Sequence, residues 1–402
     1  VVVRMRTRQE VGAQALDMAR HVACLRGWHP ALARAEISAL LPMLKPERQN
    51  GRRLLDLNGE VSTDKLAVAV EVSSGCQAIL CDAVVWDHEE QVPLDGLIEA
   101  LLEHFERHPR HGRVAVRAWR HEGRIDNVSP SRLAQRIGGR LHDLGYTIDL
   151  DAPEHQFGVV IDASSNTIVC GWMVGYGEQS DGLATRKAAE RPFFKPVSLD
   201  PRLARLAVNM ASGPVGTGTT VDLMCGTGGF LIEAALSGRS AIGIDLDAEM
   251  VEGTTENLEW ALASEGKKLH RAVVLKGDAT ALADVLSDDV GPVTGFVLDP
   301  PYGRNSQGSL APIALLGKVL LSAKSIASER AGLVLILPIH PFGERPDEGL
   351  SHDEEVALLH GKWPEVLAAL NNAEWCIQGR WVEHVHASLS RLILHATVAP
   401  RD

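Results

Sequence analysis

Residues 299–303, Asp-Pro-Pro-Tyr-Gly, place side by side the groups needed to activate a planar, conjugated amine. Such an amine is a poor nucleophile because its lone pair is delocalised into the ring. Acceptors that take its N–H bonds return electron density to nitrogen. Asp299 and the backbone carbonyl of Pro300 are acceptors of this kind, and neither Pro300 nor Pro301 has an N–H to donate. Tyr302 adds an aromatic face on which a base drawn out of a helix can stack. An ordinary Pro-Pro-Tyr-Gly loop satisfies the same letters, so the choice rests on the sequence upstream.

Those acceptors must be delivered by a sheet. Residues 221–233, Val-Asp-Leu-Met-Cys-Gly-Thr-Gly-Gly-Phe-Leu-Ile-Glu, read as strand, glycine loop and helix. Asp222 ends the strand, and the loop Cys225, Gly226, Thr227, Gly228 and Gly229 lets the backbone turn tightly against a ligand. A dinucleotide site is the usual competitor for such a loop. Three details favour S-adenosylmethionine. A strand-terminal carboxylate suits a cationic amino-acid group and sits badly beside a pyrophosphate. A second apolar run, Ala241–Ile244, ends in Asp245, 23 positions after Asp222, where an acceptor for ribose hydroxyls belongs, with Leu246 next to it. A third run, Val273–Lys276, leads to Asp278 and Ala279, where an adenine amino group would be held, and a fourth, Phe296–Leu298, delivers Asp299. Ligands of open α/β sheets bind at the carboxyl ends of the strands, so four acids at four strand ends form one candidate site.

The order Asp222 to Gly229, Asp245, Asp278 and Asp-Pro-Pro-Tyr-Gly resembles the class I methyltransferases, in the branch that modifies exocyclic amines of nucleobases. Arg191-Pro192-Phe193-Phe194-Lys195-Pro196 is similar to the segment that packs beside the methionine end of the cofactor in that branch, which implies a cofactor role for Phe194. More narrowly, Arg191–Asn209, the glycine loop and Asp299–Arg304 resemble the archaeal tRNA guanosine N2-methyltransferases acting at position 10. That likeness covers most of residues 110–345. It implies a Rossmann-like domain with a mostly parallel seven-stranded sheet, preceded by α+β ferredoxin-like and THUMP modules. It also implies S-adenosylmethionine as cofactor, tRNA as substrate and one or two methyl transfers. A neighbouring guanosine such as position 6, an adenine N6 target, or an RNA-binding protein that keeps the fold without activity are the competing readings.

Composition agrees. A chain of 402 residues, 45% of them hydrophobic, can bury substantial cores in two or three domains. No run approaches the apolar length of a transmembrane helix and no secretory pattern opens the chain, so a cytoplasmic protein without a membrane partner is expected. Six scattered cysteines (24, 76, 81, 170, 225 and 376) lack the paired spacing of a zinc site. The pair His384 and His386 lacks a third ligand, so no metal is expected. Nothing in the sequence requires a protein partner.

The net charge of -12 opposes nucleic-acid binding until its distribution is considered. Between His104 and Arg140 nine arginines face three acids, a local net of +6, although arginine is abundant throughout and a solvated basic face is the alternative. Ser129-Pro130-Ser131 opens a helix whose apolar Leu133, Ile137 and Leu141 leave Arg132, Arg136 and Arg140 on another face. Those three, with Arg304 and Asn305 beyond the catalytic turn, are the RNA-contact candidates. Ala23–Leu25, a helix through Ala33–Leu41, and strand-like runs at Leu66–Val72 and Ala78–Val85 precede this module. Strands at Phe157–Ile161 and Thr167–Met173 close it. The expected organisation is a ferredoxin-like domain over 1–80, a THUMP-like domain over 81–176, a linker over 177–195 and the methyltransferase domain over 196–402, where Gly332–Pro338 and a hairpin of Trp375–Ile377 with Arg391–Thr397 complete the sheet.

Overall fold

A computed structural model describes residues 20–48, 51–87, 94–175, 180–195, 199–264, 272–287, 289–300 and 312–399. The chain divides into two compact units. The first comprises residues 1–27, 43–67 and 77–176, and the second 28–42, 68–76 and 177–402.

Up to residue 176 the elements run β1 (His21–Leu25), α1 (Pro30–Leu40), β2 (Lys45–Arg48), β3 (Leu54–Asn58), α2 (Thr63–Val72) and β4 (Cys76–Asp87). Then follow α3 (Leu94–Arg107), β5 (Arg113–Arg120), α4 (Pro130–Asp143), β6 (Thr147–Ile148), β7 (His155–Asp162) and β8 (Thr167–Val174). All eight strands share one sheet, ordered β2-β3-β1-β4-β8-β7-β5-β6. Residue 80 therefore lies inside β4, a strand common to both halves. Leu97, Leu101 and Phe105 of α3 and Leu133, Ile137 and Leu141 of α4 pack with Phe157, Ile168 and Trp172 in one core. The run Leu66–Val72, expected as a strand, is helix α2. Leu66, Ala69 and Val70 are buried at spacings of three and four while Val68 is 42% exposed, so the apolar alternation conceals a helical stripe.

The second unit adds α5 (Ser180–Ala184), α6 (Pro201–Ser212), β9 (Thr219–Asp222), α7 (Gly229–Leu236), β10 (Ser240–Asp245), α8 (Ala248–Ser264) and β11 (Ala272–Lys276). It ends with α9 (Leu282–Val285), β12 (Val293–Leu298), α10 (Pro312–Ile326), β13 (Ala327–Ile339), α11 (Trp363–Asn372), β14 (Trp375–His386) and β15 (Leu389–Val398). The sheet order is β11-β10-β9-β12-β13-β15-β14. Only β15 runs against the others. This is the mostly parallel seven-stranded sheet expected. Its central strands are buried on both faces, and consecutive residues alternate between two cores. Phe296, Leu298, Leu333 and Leu335 face α10 and α11, whereas Val297, Val334 and Ile336 face α6, α7 and α8.

Residues 28–42 and 68–76 fold with this unit through a buried acid. Glu36 of α1 is fully buried, and its carboxylate accepts from Ser73 Oγ (2.6 Å), Ser74 N (3.0 Å), Gly75 N (2.8 Å) and Asn209 Nδ2 (2.7 Å). Four donors repay the desolvation of the charge. No helix among the described residues is long and apolar enough to cross a membrane.

Candidate functional site

The chain leaves β9 in opposite directions for its two neighbours, β10 and β12, and this strand-order reversal opens a crevice at the carboxyl edge. The start of the loop stays pinned to both. Leu223 N donates to Val297 O (3.1 Å) and Cys225 N to Ile244 O (2.9 Å). Gly226 and Gly228 then adopt φ of 51° and 81°, a left-handed backbone that residues with a Cβ rarely take, and Gly228 stands at the N-cap of α7. Gly228 has no side chain to cap the N–H groups of that helix's first turn, so they stay available.

Asp222 is 2% exposed, and neither carboxylate oxygen has a hydrogen-bond partner among the described residues. Burial pushes its carboxyl well above the ordinary range; Asp245 and Asp299 add to this, and the nearby Met224 N–H, whose geometry falls short of a hydrogen bond, opposes it. A buried acid without a partner is costly. A cationic ligand group at the loop would relieve it. Asp245 ends β10 and fastens the loop: Oδ2 accepts from Gly226 N (2.9 Å) and Oδ1 from Asp247 N (3.0 Å), which leaves each oxygen one lone pair for a further donor. Leu246, beside it, is 62% exposed. Asp278 caps a single 3₁₀ turn, accepting from Thr280 N and Oγ1 (both 2.8 Å), and the following Ala279 is buried.

Asp299 follows β12 and, with Pro300, is half-buried. Burial pushes its carboxyl up to about 6; Arg391 opposes this and Glu383 adds to it. Those two residues come from the β14–β15 hairpin and pair with each other at 3.1 Å. Asp222, Asp245 and Asp299 thus share one field, while Asp278 stands on the next strand outward. Cys225 is buried in the loop and burial pushes its thiol far up, consistent with packing. Pro301, Tyr302, Arg304 and Asn305 lie outside the described residues.

Sequence reading overlooked Asn257. This fully buried amide on α8 donates to the carbonyls of Phe193 (2.8 Å) and Thr227 (3.0 Å) and accepts from Phe193 N (2.9 Å). It therefore clamps the Arg191–Lys195 segment onto the glycine loop. The detectable signal was an amide inside the apolar stripe Gly253, Leu258, Ala261. It is the backbone of Phe193 that is so anchored, whereas the Phe194 side chain beside it is 51% exposed. No group of three or more His, Cys, Asp or Glu among the described residues could hold a metal; His384 and His386 belong to β14.

The donor set fits S-adenosylmethionine: an unpaired buried carboxylate for an ammonium, a half-satisfied one for ribose hydroxyls, and a glycine loop admitting close backbone approach. The family model of the RMKL-like methyltransferase domain matches residues 188–342. The tRNA (guanine(10)-N2)-dimethyltransferase of Pyrococcus abyssi is 30% identical over 267 residues, which is 64% of this chain and 67% of that one. The chain belongs to this family. Family members of the same name from Methanothermobacter thermautotrophicus and Methanocaldococcus jannaschii are 43% and 41% identical over 114 and 150 residues. Those stretches are 28% and 37% of this chain and only 30% and 40% of the two relatives. Among solved structures, TrmN from Thermus thermophilus aligns with 95% of this family member and 100% of its own chain at 18% identity, with a TM-score of 0.46.

Proposed function

We propose that this protein transfers a methyl group from S-adenosylmethionine to the N2 amine of a guanosine in tRNA. Position 10, and a second transfer to the same nitrogen, follow the names of its relatives. The observation that carries the reading is Asp222, a buried carboxylate without a partner at the mouth of a glycine loop, on the same sheet edge as Asp299.

When bound, the cofactor supplies an electrophilic methyl on a sulfonium. Asp222 meets its ammonium, Asp245 accepts from the ribose hydroxyls, and Asp278 with Ala279 borders the adenine. Asp299 and the Pro300 carbonyl take the N–H bonds of the flipped guanine's amine, raising electron density on nitrogen and fixing its line of approach. The methylated amine is acidic enough to lose its proton to almost any acceptor, so Asp299 need not be a strong base. In the first unit, the α4 face bearing Arg132, Arg136 and Arg140 is the proposed contact for tRNA phosphates, in a THUMP-like module.

The test is to incubate the full chain with unmodified tRNA and cofactor labelled in the methyl group, then digest to nucleosides. Label in N2-methylguanosine and N2,N2-dimethylguanosine is expected, and its loss when G10 is replaced locates the target. Label in a methyladenosine, or none in RNA, would overturn the reading.

A further inference from the structure

Asp299 and the Pro300 carbonyl accept from any conjugated amine, so they carry the chemistry without choosing the base. The strand order shows where the rest of a base would lie. Asp299 follows β12, with Asp222 on β9 and Asp245 on β10 to one side and β13, β15 and β14 to the other. A cofactor held over β9 and β10 leaves the hairpin side for a ring whose amine is at Asp299. Arg391 of β15 stands there, opposite Pro338 at the carboxyl end of β13 and opposite Glu383 of β14. Side chains alternate across a strand, which puts both on the sheet face of Asp299. Ile393, two residues after Arg391, packs in the same core as Val297, two before Asp299, whereas Val382, next to Glu383, packs in the opposite core. Asp299 accordingly lies in the field of both charges.

Glu383 is the less satisfied of the pair. Its Oε2 accepts from Arg391 Nη1 (3.1 Å), and no other hydrogen bond reaches it among the described residues. Its other charged neighbours, Asp200 and Arg202, bond each other at 3.1 Å. The side chain is 18% exposed, so Oε1 keeps its lone pairs for a donor arriving from outside. We infer that Glu383 accepts the N1–H of the target guanine and thereby selects guanine over adenine. This rests on the methyltransferase reading above. In guanine, N1 adjoins the carbon that bears the amine and carries a hydrogen. In adenine, N1 adjoins the amine-bearing carbon in the same way but is an acceptor. With the amine at Asp299, a carboxylate on the hairpin side meets a donor in one base and a lone pair in the other. Two acceptors facing each other away from bulk water are both left unsatisfied, which is how a polar site rejects a close analogue.

The test uses the full chain and tRNA carrying guanosine or 2-aminopurine at position 10. 2-Aminopurine keeps the 2-amine, but its N1 is an acceptor. Wild-type kcat/KM should favour guanosine by about a hundredfold, the scale of a lost hydrogen bond with an acceptor left unpaired. Glu383→Gln can keep its carbonyl toward Arg391 and turn its NH2 to the base. It should lower transfer to guanosine by about tenfold or more without lowering transfer to 2-aminopurine, narrowing the preference to about tenfold or less. Equal transfer to both RNAs by the wild type, or an unchanged preference in the variant, overturns the inference. Should the Gln variant not fold, Glu383→Asp, which draws the carboxylate back by one methylene, should lower transfer to guanosine alone; an equal loss on both RNAs overturns the inference in the same way. A wild-type chain that methylates neither RNA defeats the methyltransferase reading itself, an outcome distinct from any variant result.

Discussion

The carboxyl edge of the second sheet and the α4 face of the first unit both concentrate charge, and the two use it in opposite ways. At the edge the charges are few and differ in how far they are satisfied: Asp222 is buried without a partner, burial pushes half-buried Asp299 up to about 6, and Asp245 keeps room for a further donor. On α4 the charges are many and exposed, and largely answered: Arg136 pairs with Asp95 and Arg140 with Asp143, and outside the helix Arg107 pairs with Glu103 and Arg113 with Asp149 and Glu154. A solvated pair of this kind is worth little either way. The lesson is that the number of charged residues in a segment says less about ligands than the number left unsatisfied after burial.

Asp299→Ala should break the edge most completely. Methyl transfer should fall by about a thousandfold or more, as when a preorganised polar contact to the reacting atoms is removed, while affinity for S-adenosylhomocysteine changes by less than about threefold. A parallel collapse of affinity would merge two roles that are assigned to separate strands. Asp222→Asn should trade function for stability. Cofactor affinity should drop by roughly 10- to 100-fold, yet the unliganded protein should melt roughly 2–4 °C higher at pH 8. The folded-state pKa of Asp222 is raised, so its cost is absent below the unfolded value near 4 and grows as pH rises. The melting gain should therefore vanish in acid, and a gain independent of pH would show that charge is not its cause.

Most of this edge was legible in the sequence because strand ends are marked by local chemistry. An apolar run followed by an acid identified the carboxyl ends of β9, β10 and β12 within a residue, although β12 starts three residues earlier than its run, and the glycine spacing identified the turn. Asn257 was not read for its role, because it acts across the fold on residues 64 and 30 positions away and lies in no repeating pattern. α2 was misread because Leu66–Val72 alternates apolar and small residues, so that the periods of two and of 3.6 coincide over seven positions. In the first unit the arginine count was legible but the pairing was not, since Asp95 lies 41 positions from Arg136. β14 extends to His386, well past the Trp375–Ile377 core that sequence marks, because its polar outer half is paired by β15 rather than buried.

Smaller effects refine the contrast. Methyl transfer should rise with pH through about 6 as Asp299 ionises. Arg391 favours that ionised form, so Arg391→Gln should move the rising limb to higher pH without moving the plateau; a shift to lower pH would show that Arg391 does not act through charge. The smallest change is expected on α4. Converting Arg132, Arg136 and Arg140 together to Gln should lower the slope of log affinity for tRNA against log salt by about 1, because two of the three are engaged by carboxylates. A reduction near 3 would mean that RNA displaces both acids and that the two regions differ less than they look.

The central claim, that Asp222 stands buried and unpartnered to receive a cation, is tested most directly by counting protons. Titrating S-adenosylhomocysteine into the protein in buffers of different ionisation enthalpy gives the number released on binding. A carboxyl pushed up by burial should ionise as the ammonium arrives, so release is expected in the range above the ordinary carboxyl value near 4 and should disappear in Asp222→Asn. Binding that releases no proton anywhere in that range, or the same release from the Asn variant, would contradict the claim.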